Sequence, residues 1–189
     1  MTEVALTPSQ TAGPYLTIGL IGGPLTNRLV DDSDPRALRI HGILLDGAGE
    51  PVPDGMVEIW QANAAGRYAH PVDDREGIPL EKGFTGFGRS GTQDGGRFEF
   101  VTVKPGRVPW ADGRFQAPHL LVGVFARGLM KRVATRMYFP DEETVNAKDP
   151  VLLGLELEER ASLVARAEEG ALRFDIVLQG AGETTFFAV

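Results

Sequence analysis

The chain has 189 residues, a formal net charge of −7 and no cysteine. That length supports one hydrophobic core. The acidic balance excludes the basic face that phosphates demand, and with it a nucleic-acid or anionic-membrane partner, yet one well-placed arginine is still enough to hold a small carboxylate. The missing cysteines exclude disulfides, thiolate nucleophiles, zinc ribbons and iron–sulfur clusters. The opening MTEVALTPSQ has neither a basic segment nor an apolar one, and no apolar run approaches bilayer length, so a soluble, cytoplasmic protein is expected.

In chain order, the first thirty residues are apolar yet rich in Gly and Pro. Thr7-Pro8-Ser9-Gln10 matches a capping box with Pro at the first helical position, and reads equally well as a loop. Gly13-Pro14 sets a rigid turn that presents Tyr15. Such an arm packs either on its own domain or on another subunit. From there, short apolar runs alternate with Gly/Pro turns, the pattern of an all-β domain. Strands are expected at 38–46, 56–62, 97–103, 119–126, 132–139 and 171–179. GTQDGG at 91–96 is a turn, and ARGLMK joins 119–126 to 132–139 as a hairpin with Arg127 at its tip. Residues 64–90 and 104–118 read as long loops, where function often sits. One short helix is expected near 158–167, ended by Gly170. The fold class is a two-sheet antiparallel β-sandwich with long loops and an extended N-terminal arm.

Chemistry is harder to find. The three histidines, His41, His70 and His119, form no H-x-H, H-x-x-x-H or H-E-x-x-H spacing, and there is no nucleophile elbow or phosphate loop. His119 opens a strand in which side chains two apart share a face, so a metal-binding strand would place its second ligand at 121, where Leu121 stands. Arg127 is either a solvated turn residue or a fork aimed at an anion. Trp60 and Trp110 read as core or interface anchors.

TPSQTAGPY, DGAGEPVPDGMVEIWQANAAGRY, FGRS, DGGRFEFVTVKPGRVPW and LRFDIVLQG occur in the order found in intradiol ring-cleaving dioxygenases, over about residues 6–187. The resemblance implies a β-sandwich and a catalytic chain whose Fe(III) is held by two tyrosines and two histidines, since a hard ferric ion favours anionic oxygen donors. On the family's motifs, Glu76 stands at the first tyrosine position, Val108 at the second, His119 at the first histidine and Leu121 at the second. Gln116 stands where catalytic chains carry an arginine.

The pattern is similar to the iron-free α chains of the family branch that cleaves protocatechuate, a carboxylated catechol, with O2 in large α/β hetero-oligomers. The resemblance therefore implies that this chain has no catalytic or metal-binding residue of its own, and that Fe(III) is bound by a paralogous catalytic β subunit. It implies that residues 1–30 form an arm packing on that partner, with 31–189 as the sandwich domain. It also implies that Thr11, Gly13, Pro14, Tyr15 and Arg127 complete the partner's substrate pocket. A sandwich that stabilises an oligomer without touching substrate is the competing expectation.

Overall fold

The computed structural model describes residues 8–21 and 26–188. Its strands are β1 Leu38–Leu45, β2 Met56–Trp60, β3 Phe87–Gly91, β4 Arg97–Thr102, β5 Val108–Pro109, β6 Phe115–Gln116, β7 His119–Phe125, β8 Val133–Tyr138, β9 Arg166–Glu168, β10 Ala171–Arg173 and β11 Ile176–Val177. The helices are α1 Pro14–Leu20, α2 Glu143–Asn146 and α3 Leu157–Ser162, with 3-10 turns at Pro140–Glu142 and Leu152–Gly154. One sheet centres on β1, which pairs β4 on one side and β10 and β11 on the other, with β9 at the edge. The second sheet runs β3-β2-β7-β8, and β5 and β6 form a separate small hairpin. The expected sandwich is therefore present, with one refinement: β10 and β11 lie parallel to β1, while every other strand pair is antiparallel.

Alternation builds the core. Ile40 and Leu44 of β1, Phe98 and Phe100 of β4, Val57 and Ile59 of β2, and Leu120, Val122 and Val124 of β7 are buried in one cluster between the sheets. Burying each such side chain contributes roughly 1.5–3 kcal/mol. A second cluster of Ala117, Tyr138, Leu152 and Leu163 covers part of the far face of the second sheet, under the helical segment. Gly42 is required by close approach. A Cβ there would stand 1.9 Å from the carbonyl oxygen of Phe174 and 2.7 Å from the Phe98 ring.

Three local expectations change. The helix occupies 157–162 rather than 158–167, because Leu163 is buried and its carbonyl accepts from the Tyr138 N–H at 2.8 Å, pulling the chain onto the edge of β8. Gly170, at φ 73°, then turns β9 into β10 instead of ending a helix. The single strand expected at 171–179 is two short strands, both paired with β1. In the arm, Thr7 lies outside the described residues, Pro8–Gln10 are not helical, and the helix begins at Pro14, the first-turn position that proline favours. From Thr26 onward the chain is tied to both sheets: the Arg89 N–H donates to the Thr26 carbonyl, and the Leu29 N–H to that of Val101. Among the described residues no helix is long and apolar enough to cross a membrane.

Gly42→Ala should destabilise the protein by about 3 kcal/mol, the upper end for overpacking, because the atom in the way is backbone. Urea unfolding of the purified variant checks this; a loss under 1 kcal/mol would mean that the backbone at Phe174 can shift at little cost.

Candidate functional site

Two regions carry the residues singled out above. The first is the tip of the β7–β8 hairpin with the N-terminal arm. Ala126 to Leu129 form a four-residue turn closed by the Leu129 N–H donating to the Ala126 carbonyl at 3.2 Å, with Gly128 at φ 86°. The positive φ at the third position suits a glycine, and Arg127 holds the exposed second position of the turn. The Gly128 N–H donates to Thr11 Oγ1 at 2.8 Å. That bond brings together two stretches 117 residues apart, so Thr11 and Arg127 share one surface. Gly13 stands in open space and its carbonyl accepts from the Leu16 N–H, Pro14 opens α1, and Tyr15 is 84% exposed. A groove of about 560 Å³ runs between the arm and the hairpin, lined by Thr11, Tyr15, Leu16, Phe125, Leu129 and Met130 among others. Arg127 is 77% exposed at its side chain, and its Nε meets Asp54 Oδ2 at 3.2 Å.

The second region surrounds the positions where the family's iron ligands would fall. Gln61 and Asn63, in the W-Q-A-N run, organise it. The buried Gln61 amide donates to the carbonyls of Val103 and Ala62 and accepts from Thr102 Oγ1, joining β2 to β4. Asn63 Oδ1 accepts from the Ala65 and Arg67 N–H groups, and its amide donates to Pro79 O. Arg67 donates to Ile78 O and Asp73 O. Arg75 bonds Asp73 through both carboxylate oxygens and holds that carboxyl down near 2. These bonds shape a loop around a cavity of about 450 Å³ lined by Trp60, Tyr68, His70, Asp73, Val108 and Gln116, among others.

Val108 is buried and pairs with Gln116 across the β5–β6 hairpin. Leu121 pairs with Trp60 on the outer face of the second sheet. Glu76 is exposed on the loop and does not line the cavity. Val108 and Leu121 are hydrocarbon and offer no donor atom. His119 is 4% exposed and packs 5.6 Å from the Tyr138 ring. Its Nδ1 lies 2.8 Å from the Ala117 carbonyl, which only accepts, so Nδ1 carries the proton and Nε2 the lone pair. One neutral imidazole nitrogen, two hydrocarbons and a carboxylate turned to solvent do not match the anionic-oxygen set that ferric iron requires. The other histidines sit apart: His41 bonds Glu168 on the first sheet, and His70 lies edge-on to Trp60.

Three side chains that support these regions were not legible in the sequence. Asp149, fully buried, accepts from the Ala117, Val151 and Leu152 N–H groups and from the Tyr138 hydroxyl, fixing the backbone just before His119. Its signal was the Asp149-Pro150 turn dipeptide. Arg136 donates to Gln116 Oε1 at 2.7 Å and to the Tyr138 hydroxyl at 3.2 Å, and only the fold brings these groups together. Asp54 lies in a Pro-Asp-Gly turn that reads as a turn and nothing more.

Burial lowers the His119 pKa to about 4, with the Arg136 charge acting in the same direction. The unfolded chain therefore binds a proton that the folded one rejects between pH 6.5 and 4. The neutral-state stability is complete above pH 6.5 and falls by roughly 3 kcal/mol as pH drops to 4. His119→Gln should flatten that part of the curve. Urea unfolding at pH 7 and pH 4.5, for both proteins, measures the difference; equal pH dependence would place the titration elsewhere.

The family model described as Dioxygenase matches residues 23–180. The chain is 43% identical over 197 residues to the protocatechuate 3,4-dioxygenase alpha chain of Pseudomonas putida, covering 96% of this chain and 95% of that one. It is 38% identical over 179 residues to the protocatechuate 3,4-dioxygenase beta chain of Burkholderia cepacia, covering 88% of this chain and 75% of that one. Among solved structures, the dioxygenase domain of a dioxygenase–carbohydrate-binding fusion from Streptomyces sp. SirexAA-E matches with a TM-score of 0.60 at 26% identity, covering 92% of this chain and 98% of that chain. The motif order, the sandwich and these relatives agree, and the chain belongs to the intradiol ring-cleavage dioxygenase family.

Proposed function

We propose that this chain is the iron-free α-type subunit of a protocatechuate 3,4-dioxygenase. A paralogous β-type chain holds Fe(III), and the complex cleaves protocatechuate between its hydroxylated carbons with O2, giving 3-carboxy-cis,cis-muconate. The observation that carries the reading is the donor set: Val108 and Leu121 are hydrocarbon, Glu76 is exposed, and His119 is buried with one nitrogen engaged. The relatives support it, since the chain matches proteins named as alpha and as beta chains of the same dioxygenase, each over most of its length.

Iron supplies the activation of the catechol when it is bound by the partner. This chain's own part is binding. Its arm, within residues 1–30, packs on the partner; the exposed Tyr15 and Ile18 of α1 are apolar surface suited to that contact. Thr11, Gly13, Pro14 and Tyr15 form one wall of the substrate pocket, and the Thr11 bond to Gly128 sets Arg127 beside them. A guanidinium whose forked N–H groups face a planar carboxylate fits the acid group of protocatechuate. Once shielded from water, a charged hydrogen bond of this kind contributes roughly 1.5–3 kcal/mol. The scaffold alternative needs the same fold but no contact with substrate.

Purified alone, the chain should hold no stoichiometric iron and lack the red-brown colour of phenolate–Fe(III); metal analysis giving one iron per chain overturns the reading. In the complex with the iron-bearing partner, Arg127→Ala should raise KM for protocatechuate about 10- to 100-fold, with assembly intact. Unchanged KM in an intact complex would make the chain a scaffold.

A further inference from the structure

We propose that Asp54 is a positioning residue for Arg127: it occupies one edge of the guanidinium so that the other edge receives the substrate's carboxylate. This rests on the reading of Arg127 as the carboxylate-binding group. Arg127 Nε meets Asp54 Oδ2 at 3.2 Å, and among the described residues neither group makes another ion pair. A guanidinium offers two forked edges, Nε with one Nη and the two Nη together. The contact is an ion pair without an aligned hydrogen bond, and a carboxylate on the Nε side leaves the Nη–Nη edge as the free fork.

The geometry around Asp54 shows that it is held in place. Gly55, next to it, donates its N–H to Thr92 Oγ1 at 2.8 Å and accepts from the Thr92 N–H at 3.1 Å. A Cβ on Gly55 would stand 2.7 Å from Leu44 Cδ2, so the turn is pressed against the core. Asp54 Oδ1 is buried with no hydrogen-bond partner, whereas Oδ2 faces Arg127. The turn that carries Asp54 is fixed through Gly55, and the other carboxylate oxygen, Oδ2, meets one cation. The pair is exposed, 77% for Arg127 and 40% for Asp54, and pairs of that kind add little to folding stability. What such a contact does is reduce the number of directions in which a long, flexible side chain points. Arg127 has its backbone set by the Gly128 turn and its head set by Asp54, so less freedom is lost when substrate arrives.

The test uses the assembled complex. Asp54→Asn, with Asp54→Ser as a second variant, should raise KM for protocatechuate about 3- to 10-fold at unchanged kcat. The competitive Ki of a catechol bearing a neutral amide in place of the carboxylate should not move. On an Arg127→Ala background, Asp54→Asn should add nothing. Three results overturn the proposal: unchanged KM in Asp54→Asn and Asp54→Ser while Arg127→Ala raises it; a lowered KM, which would make Asp54 a competitor for the guanidinium; or an equal rise for the neutral analogue, which would mean a general distortion. If Arg127→Ala itself leaves KM unchanged, the reading of Arg127 falls first and this inference with it.

Discussion

The register of β7 is the constraint on which the rest depends. It is hydrogen-bonded on both sides, to β2 and to β8, so it cannot slide without breaking two ladders. A slip of one residue would turn Leu120, Val122 and Val124 out of the core and put His119 and Leu121 into it. Fixing the register therefore fixes the outer face and the point at which the strand runs out, after Phe125, into the Arg127 turn. The two candidate regions are the two ends of this one strand.

That arrangement explains how a sandwich can keep its stability with hydrocarbon at ligand positions. The inner face supplies most of the burial, and on the outer face the second cluster covers only the His119 end of β7. Leu121 sits beside Trp60 and Val108 beside Gln116, so apolar side chains at these positions find apolar or amide neighbours. His119 is accommodated because its Nδ1–H donates to the Ala117 carbonyl and the Tyr138 ring packs against it. Behind it, Asp149 spends its carboxylate on backbone N–H groups and on the Tyr138 hydroxyl, whose pKa burial pushes up.

Much of the fold was legible because its signals are local. Alternation marks β1 and β4, a continuous apolar run marks β7, and turn signals mark their ends. The segments that misled were those decided by distant partners. Residues 163–168 have helical composition, yet Tyr138 of β8 captures 163–165 and β10 pairs with 166–168. β3 was hidden in a loop-like stretch because Phe87-Gly88-Arg89 carries no alternation, and its pairing with β2 through Glu58 and Arg89 comes only with the tertiary fold. In the site, His119, Leu121 and Arg127 were visible as residues. Asp54 and Asp149 were not, since an aspartate in a turn looks the same whether it caps the turn or reaches across the molecule.

The tip of the hairpin shows why position alone does not make an arginine a binding group. Arg127 has four rotatable side-chain bonds and stands in solvent, so ordering it costs up to about 2 kcal/mol of side-chain entropy. A contact worth roughly 1.5–3 kcal/mol would be largely cancelled if all of that cost fell at the moment of binding. The turn at Gly128 and the Thr11 bond across it set the backbone from which Arg127 projects, and the Asp54 carboxylate alone meets its side chain. None of the three is strong, and all lie at the surface. Together they restrain both the base and the head of one side chain, which is the difference between the proposed fork for an anion and a solvated charge.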